Sequence, residues 1–125
     1  MNSMNKIILA ISILFLVGFL WAKGTSPSQG ILIESDEAKI LVSSGALLLD
    51  VRTEDEFNDS HIPGAVLLPY DEINAASAAK LIKTLDTPIV VYCRSGRRSD
   101  IAAKTLIKLG YTKVRDLGSI TNWKK

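Results

Sequence analysis

From Ile31 to the C-terminus, short apolar runs alternate with segments of helical periodicity. Ile31–Ile33, Leu47–Val51, Ala65–Leu68, Ile89–Tyr92 and Val114–Leu117 read as five strands, the first four of them apolar but for Asp50. Leu47–Val51 (LLLDV) and Ile89–Tyr92 (IVVY) lack polar alternation, which is the mark of strands covered on both faces. Between them, Ser35-Asp36-Glu37 opens a helix with a capping side chain and first-turn acids; Ala38, Leu41 and Val42 form its apolar face. Thr53-Glu54-Asp55-Glu56 matches a capping box and starts a short helix. Asp71 to Leu85 is Ala-rich and predicts a third helix, and Ser99 to Leu109 a fourth, stopped by Gly110. Strands separated by helices imply crossover connections and a parallel sheet with helices on both faces, a three-layer α/β domain.

A different pattern precedes this body. Ile7 to Ala22 is a 16-residue run interrupted only by Ser12 and Gly18, after a polar start with Lys6. A positive start followed by an apolar stretch is the pattern of a secretory leader. Ala22 and Gly24 supply small residues for cleavage. An uncleaved anchor is the second expectation, since the run falls short of the ~20 residues of a full span. A core helix fits poorly, because the run is apolar on all sides. No Cys lies near the end of the run, which excludes a lipid-anchored precursor. Residues 1–24 are therefore read as leader or anchor, 25–30 as part of the flexible stretch GTSPSQG, and 31–125 as the domain. The leader implies an exported, periplasmic location, or a membrane-anchored one with the domain outside the cytoplasm; membrane contact is expected only in the second case.

Charge sharpens the division. Lys6 and Lys23 are two of the 15 basic residues, so the other 13 balance the 13 acids of the body. A neutral body has no broad electrostatic footprint for nucleic acid. One Cys excludes an internal disulfide, and one Cys with one His excludes a zinc site of the Cys/His type.

The single Cys carries the chemistry. Cys93 follows IVVY and begins the loop Cys93-Arg94-Ser95-Gly96-Arg97-Arg98-Ser99. In open parallel sheets ligands bind beyond the carboxyl ends of strands, where this loop falls. Gly96 allows successive backbone N–H groups to turn inward as an anion nest, and Ser99 is placed to start the following helix. Arg94, Arg97 and Arg98 bring three guanidinium groups. All three features favour a thiolate, the reactive form of Cys. A buried, inert Cys would sit inside a strand, not among Arg, Ser and Gly at its end. The three arginines cannot all face one ligand, and Arg97 and Arg98 rank ahead of Arg94. Asp50 and Arg52 lie two apart at a strand end, share a face and brace each other. His61, beside Pro63-Gly64, reads as a turn residue rather than a base, and Trp123 as packing.

The loop CRSGRRS, with its following helix and GYTKVRDLGS, resembles the rhodanese family of sulfurtransferases. The upstream stretch LLLDVRTEDEFNDSHIPGAVLLP resembles that family's other signature, to which Asp50, Arg52, Glu56 and His61 belong. Ser60 stands where Gly usually precedes the His, and Ser119 where the family often has a second Gly. The resemblance covers about Ile31 to Trp123. It implies a five-stranded parallel sheet in the spatial order first, fifth, fourth, second, third. It also implies covalent sulfur transfer: Cys93 takes sulfur from thiosulfate or a similar small-molecule donor as a persulfide, then passes it to cyanide or a thiol acceptor. Cys93 is then catalytic, and Arg94, Ser95, Gly96, Arg97, Arg98 and Ser99 bind substrate. No metal or organic cofactor is implied, and a monomer suffices. Two alternatives remain. A cysteine-dependent phosphatase needs an Arg six positions after the Cys and a His before it; Ser99 and Tyr92 stand there. A non-enzymatic rhodanese-like binding module has no use for Cys93.

Overall fold

The structure, a computed structural model, describes residues 31–125; the leader and linker expectations fall on residues outside these. Four parallel strands, β1 (Leu47–Asp50), β2 (Val66–Leu67), β3 (Ile89–Cys93) and β4 (Val114–Ser119), lie in the order β2-β1-β3-β4. Helices α1 (Ser35–Ser43), α2 (Glu54–Asp59), α3 (Ala75–Leu81) and α4 (Arg97–Lys108) occupy the connections. Among the described residues no helix is long and apolar enough to cross a membrane.

All five residues of β3 are buried, and their alternation feeds two cores. Ile89, Val91 and Cys93 pack with Ala78 and Ile82 of the α3 region and with Ala102, Ala103 and Leu106 of α4. Val90 and Tyr92 face the other way, onto Ala38 of α1, Leu48, Ile62 and Leu117, with Trp123 packed alongside. Continuous apolarity in LLLDV and IVVY is thus the consequence of helices on both sides of the sheet, the three-layer α/β arrangement.

The first expected strand is reduced to one bridge. Leu32 pairs in parallel with Asp116 beyond β4, and Ile33 N–H donates to Asp116 O at 3.0 Å. α1 begins at Ser35, too soon for a longer ladder. The expected spatial order therefore holds, with four strands and a bridge in place of five strands. The expected Asp71–Leu85 helix is divided. A single 3₁₀ turn covers Tyr70–Glu72, then Asn74 takes an extended conformation and opens α3 through a reciprocal capping pair with Ser77, 2.9 Å in each direction. α3 stops at Leu81, and Thr84, Asp86 and Thr87 hydrogen-bond among themselves in place of a further helical turn. Glu34, not Ser35, caps α1; Ser35 is buried and accepts a hydrogen bond from Lys124 N–H at 3.0 Å, tying the C-terminus down. The Thr53–Glu56 capping box forms as read, with Glu56 N–H on Thr53 Oγ1 at 3.2 Å.

Candidate functional site

β3 ends at Cys93, fully buried where the sheet gives way to α4. Only Arg94, Ser95 and Gly96 separate strand from helix. So tight a reversal needs a left-handed residue, and Gly96 supplies it with φ +105°. A side chain there costs roughly 1–2 kcal/mol of backbone strain. In this conformation Gly96 N–H points at the sulfur, 3.0 Å from Sγ. The helix starts at Arg97, two residues earlier than expected, with Gly96 as its N-cap. Ser99 is therefore inside the first turn and fully buried, not at the helix start. Its Oγ lies 3.5 Å from Sγ and donates to Gly96 O at 3.1 Å.

Burial is the largest influence on the thiol and pushes its pKa up. The Ser99 hydroxyl and the backbone N–H groups of Ser99, Gly96 and Ser95 together outweigh it and bring the pKa below its ordinary value. Amide and hydroxyl dipoles carry this shift; the arginines, expected to contribute beside them, are not among its leading causes. Arg98 is clamped by Glu56, Nη1 to Oε1 at 2.7 Å and Nη2 to Oε2 at 2.9 Å. Arg97 extends over the Tyr70 ring, 5.8 Å from its centroid. Arg94 is exposed; its carbonyl, not its guanidinium, is engaged, accepting from Ser119 Oγ at 2.6 Å.

The Asp50–Arg52 brace is present and buried. Arg52 Nη2 meets Asp50 Oδ2 at 2.7 Å and Ser60 O at 2.6 Å, and Arg52 Nε lies 3.0 Å from Oδ1. Arg52 N–H also donates to Asp50 Oδ1 at 3.0 Å, and Tyr92 adds a fourth donor, its hydroxyl 2.7 Å from Asp50 Oδ2, while accepting from Ile62 N–H at 3.2 Å. His61 is exposed, stacks on Phe57 at 3.7 Å between ring centroids, and meets Phe57 O through Nδ1 at 2.8 Å. It has the geometry of a turn residue.

Three features escape a reading of the loop alone. A cleft of about 380 Å³ opens beside it, lined by Arg52, Thr53, Pro69, Tyr70, Asp71, Arg97 and Arg98. The end of β4 buttresses the loop through the Ser119–Arg94 bond and through Gly118, whose Cα lies against Gly96. Asp116 is buried with Oδ1 accepting from Gly118 N–H at 2.8 Å; burial raises its pKa, opposed by Ser99 and Gly118. An acid inside the strand segment VRDL was the available signal for that residue. Among the described residues no group of three or more His, Cys, Asp or Glu could hold a metal ion.

The rhodanese-like domain family model matches residues 34–125. Over 87 residues the chain is 36% identical to an adenylyltransferase and sulfurtransferase of Meyerozyma guilliermondii; that match covers 65% of this chain and spans only 20% of the relative. It is 32% identical over 108 residues to thiosulfate sulfurtransferase 18 of Arabidopsis thaliana, covering 78% of this chain and 79% of that protein. The human single-domain sulfurtransferase superposes with a TM-score of 0.65 at 29% identity, covering 75% of this chain and 95% of the other.

Proposed function

Because the chain belongs to the rhodanese-like family of sulfurtransferases, we propose that Cys93 carries sulfur as a persulfide between a small sulfane-sulfur donor and a thiophilic acceptor. One observation carries the reading: Gly96 N–H is aimed at Sγ from 3.0 Å, and the Ser95 and Ser99 amides also favour the charged sulfur. Such a ring of donors stabilises a thiolate before reaction and a persulfide after it. In the first step the Cys93 thiolate attacks the outer sulfur of a donor such as thiosulfate. A bond forms from Sγ to that sulfur, and the donor's S–S bond breaks with its electron pair leaving on sulfite. In the second step an acceptor, cyanide or a thiolate, attacks the outer persulfide sulfur and frees the Cys93 thiolate. Neither step requires a general base, which accords with His61 standing away at Phe57. Arg97 meets the anionic end of the donor, and the amides from Arg94 to Ser99 hold the transferred sulfur. We place the reaction outside the cytoplasm, on the leader pattern of Lys6 and Ile7–Ala22, and in a monomer.

The test is intact-mass measurement after incubation with thiosulfate. The expected result is a gain of one sulfur atom on Cys93, removed by cyanide with formation of thiocyanate, and no gain in Cys93→Ser. A wild-type protein that stays unmodified while Cys93 alkylates readily would overturn the reading.

A further inference from the structure

The cleft beside the Cys93 loop holds three arginines, yet almost no net charge. Arg52 is bound by Asp50 at 2.7 Å, and Arg98 by both oxygens of Glu56 at 2.7 and 2.9 Å. The Glu56 carboxyl is held down to about 2, first by Arg98 and then by Thr53, so it is ionised at any working pH. Asp71 adds an exposed carboxylate on the rim. Arg97 alone has no carboxylate within ion-pair distance among the described residues, and it lies over Tyr70. Two neutralised arginines, one free arginine and one rim acid suit a ligand with a single negative charge.

We propose that Glu56 is a specificity-determining residue: by neutralising Arg98 it fits the cleft to monoanionic sulfane-sulfur donors, persulfide or thiosulfonate anions, in preference to the dianion thiosulfate. The assignment rests on sulfur transfer through Cys93. Glu56 has a second task that makes the test clean. It closes the capping box of α2, Oε1 accepting from Thr53 N–H at 3.4 Å and from Thr53 Oγ1 at 3.1 Å. Gln serves a capping box as Glu does, so Glu56→Gln removes charge and keeps shape.

The probes are thiosulfate and methanethiosulfonate, which share the transferred sulfur and differ in charge. With the first, the leaving group is sulfite; with the second, methanesulfinate. Cyanide is the acceptor. Electrostatic free energy scales with ligand charge, so a change of one protein charge acts on the dianion with twice the logarithmic effect. A unit charge at about 6 Å in near-aqueous surroundings is worth roughly threefold for a monoanion, hence about ninefold for a dianion. Glu56→Gln is therefore expected to raise kcat/KM for thiosulfate about ninefold and for methanethiosulfonate about threefold. Arg97→Gln should lower kcat/KM about ninefold for thiosulfate and about threefold for methanethiosulfonate. Equal changes for the two donors, or a fall with thiosulfate in a variant whose unfolding transition is unchanged, would overturn the assignment. A salt series on the wild-type protein is independent of any variant: a near-neutral cleft predicts less than a twofold fall in kcat/KM for thiosulfate between roughly 20 and 200 mM salt, whereas a steep fall contradicts it. Failure of both donors to load sulfur on Cys93 would remove the sulfur-transfer reading itself. Loading by both with no charge discrimination would remove only the role of Glu56.

Discussion

Replacing Ser99 by Ala deletes one buried oxygen next to the sulfur, a hydroxyl that also favours the charged form of Asp116. The Ser99 hydroxyl lies 3.5 Å from Cys93 Sγ and donates to Gly96 O at 3.1 Å. For the thiolate, the hydroxyl can turn its single proton from Gly96 O to sulfur, the stronger acceptor. Gly96 O is not orphaned by the loss, because Asp100 N–H also donates to it at 3.1 Å. Hydrogen bonds to charged groups contribute about 1.5–3 kcal/mol. A 3.5 Å contact to sulfur belongs at the low end, and about 1.4 kcal/mol is a factor of ten in the thiolate population. The sign follows from the direction of titration. Donors favour the thiolate and bring the pKa down, so removing a donor raises it and depletes the thiolate at every pH below the midpoint. The expected result is an upward move of the midpoint in iodoacetamide alkylation. At a fixed pH on the acid side the rate falls about threefold, while the alkaline plateau rises about threefold. The plateau matters because a thiolate of higher pKa is intrinsically more nucleophilic, and this partly offsets the loss of population. An unmoved midpoint in a folded Ser99→Ala protein would refute the reasoning, leaving the amides of Ser95, Gly96 and Ser99 as the whole cause of the depressed thiol.

Two further changes probe the frame around the sulfur. Ser119→Gly, which installs the residue common at this place in the family, removes the 2.6 Å strap on Arg94 O; it should cost about 1 kcal/mol of stability and raise the alkylation midpoint of Cys93, with Ser119→Thr restoring both. Tyr92→Phe leaves the buried Asp50 carboxylate without its 2.7 Å hydroxyl donor and Ile62 N–H without an acceptor. A loss of roughly 2–4 kcal/mol in urea unfolding is expected, with kcat of the folded enzyme unchanged because Tyr92 and Cys93 face opposite cores.

The layers were legible because burial on both faces leaves a strand no polar position: LLLDV and IVVY could be little else, and the Thr53–Glu56 box is a local signal that needs no tertiary help. Local signals failed where distant parts of the chain decide. Ser35 looks like a cap in its own segment but is taken by Lys124, and Ile31–Ile33 looks like a strand but meets β4 through one bridge. The arginines show the same division more sharply. Spacing within CRSGRRS cannot distinguish Arg97 from Arg98, because the difference is a carboxylate 42 residues upstream. The parallel register supplies that information. β1 and β3 pair Asp50 with Tyr92, the same separation of 42, and the Tyr92 hydroxyl meets the Asp50 carboxylate across it. Beyond the strand ends each strand leads into a helix, and Glu56 and Arg98, each six residues past that pair, meet in an ion pair. Neutralisation of Arg98 is thus a continuation of the sheet ladder into the loops. Parallel pairing brings the carboxyl ends of neighbouring strands to the same edge, so the acid carried by α2 is placed to set the charge of a loop it does not belong to.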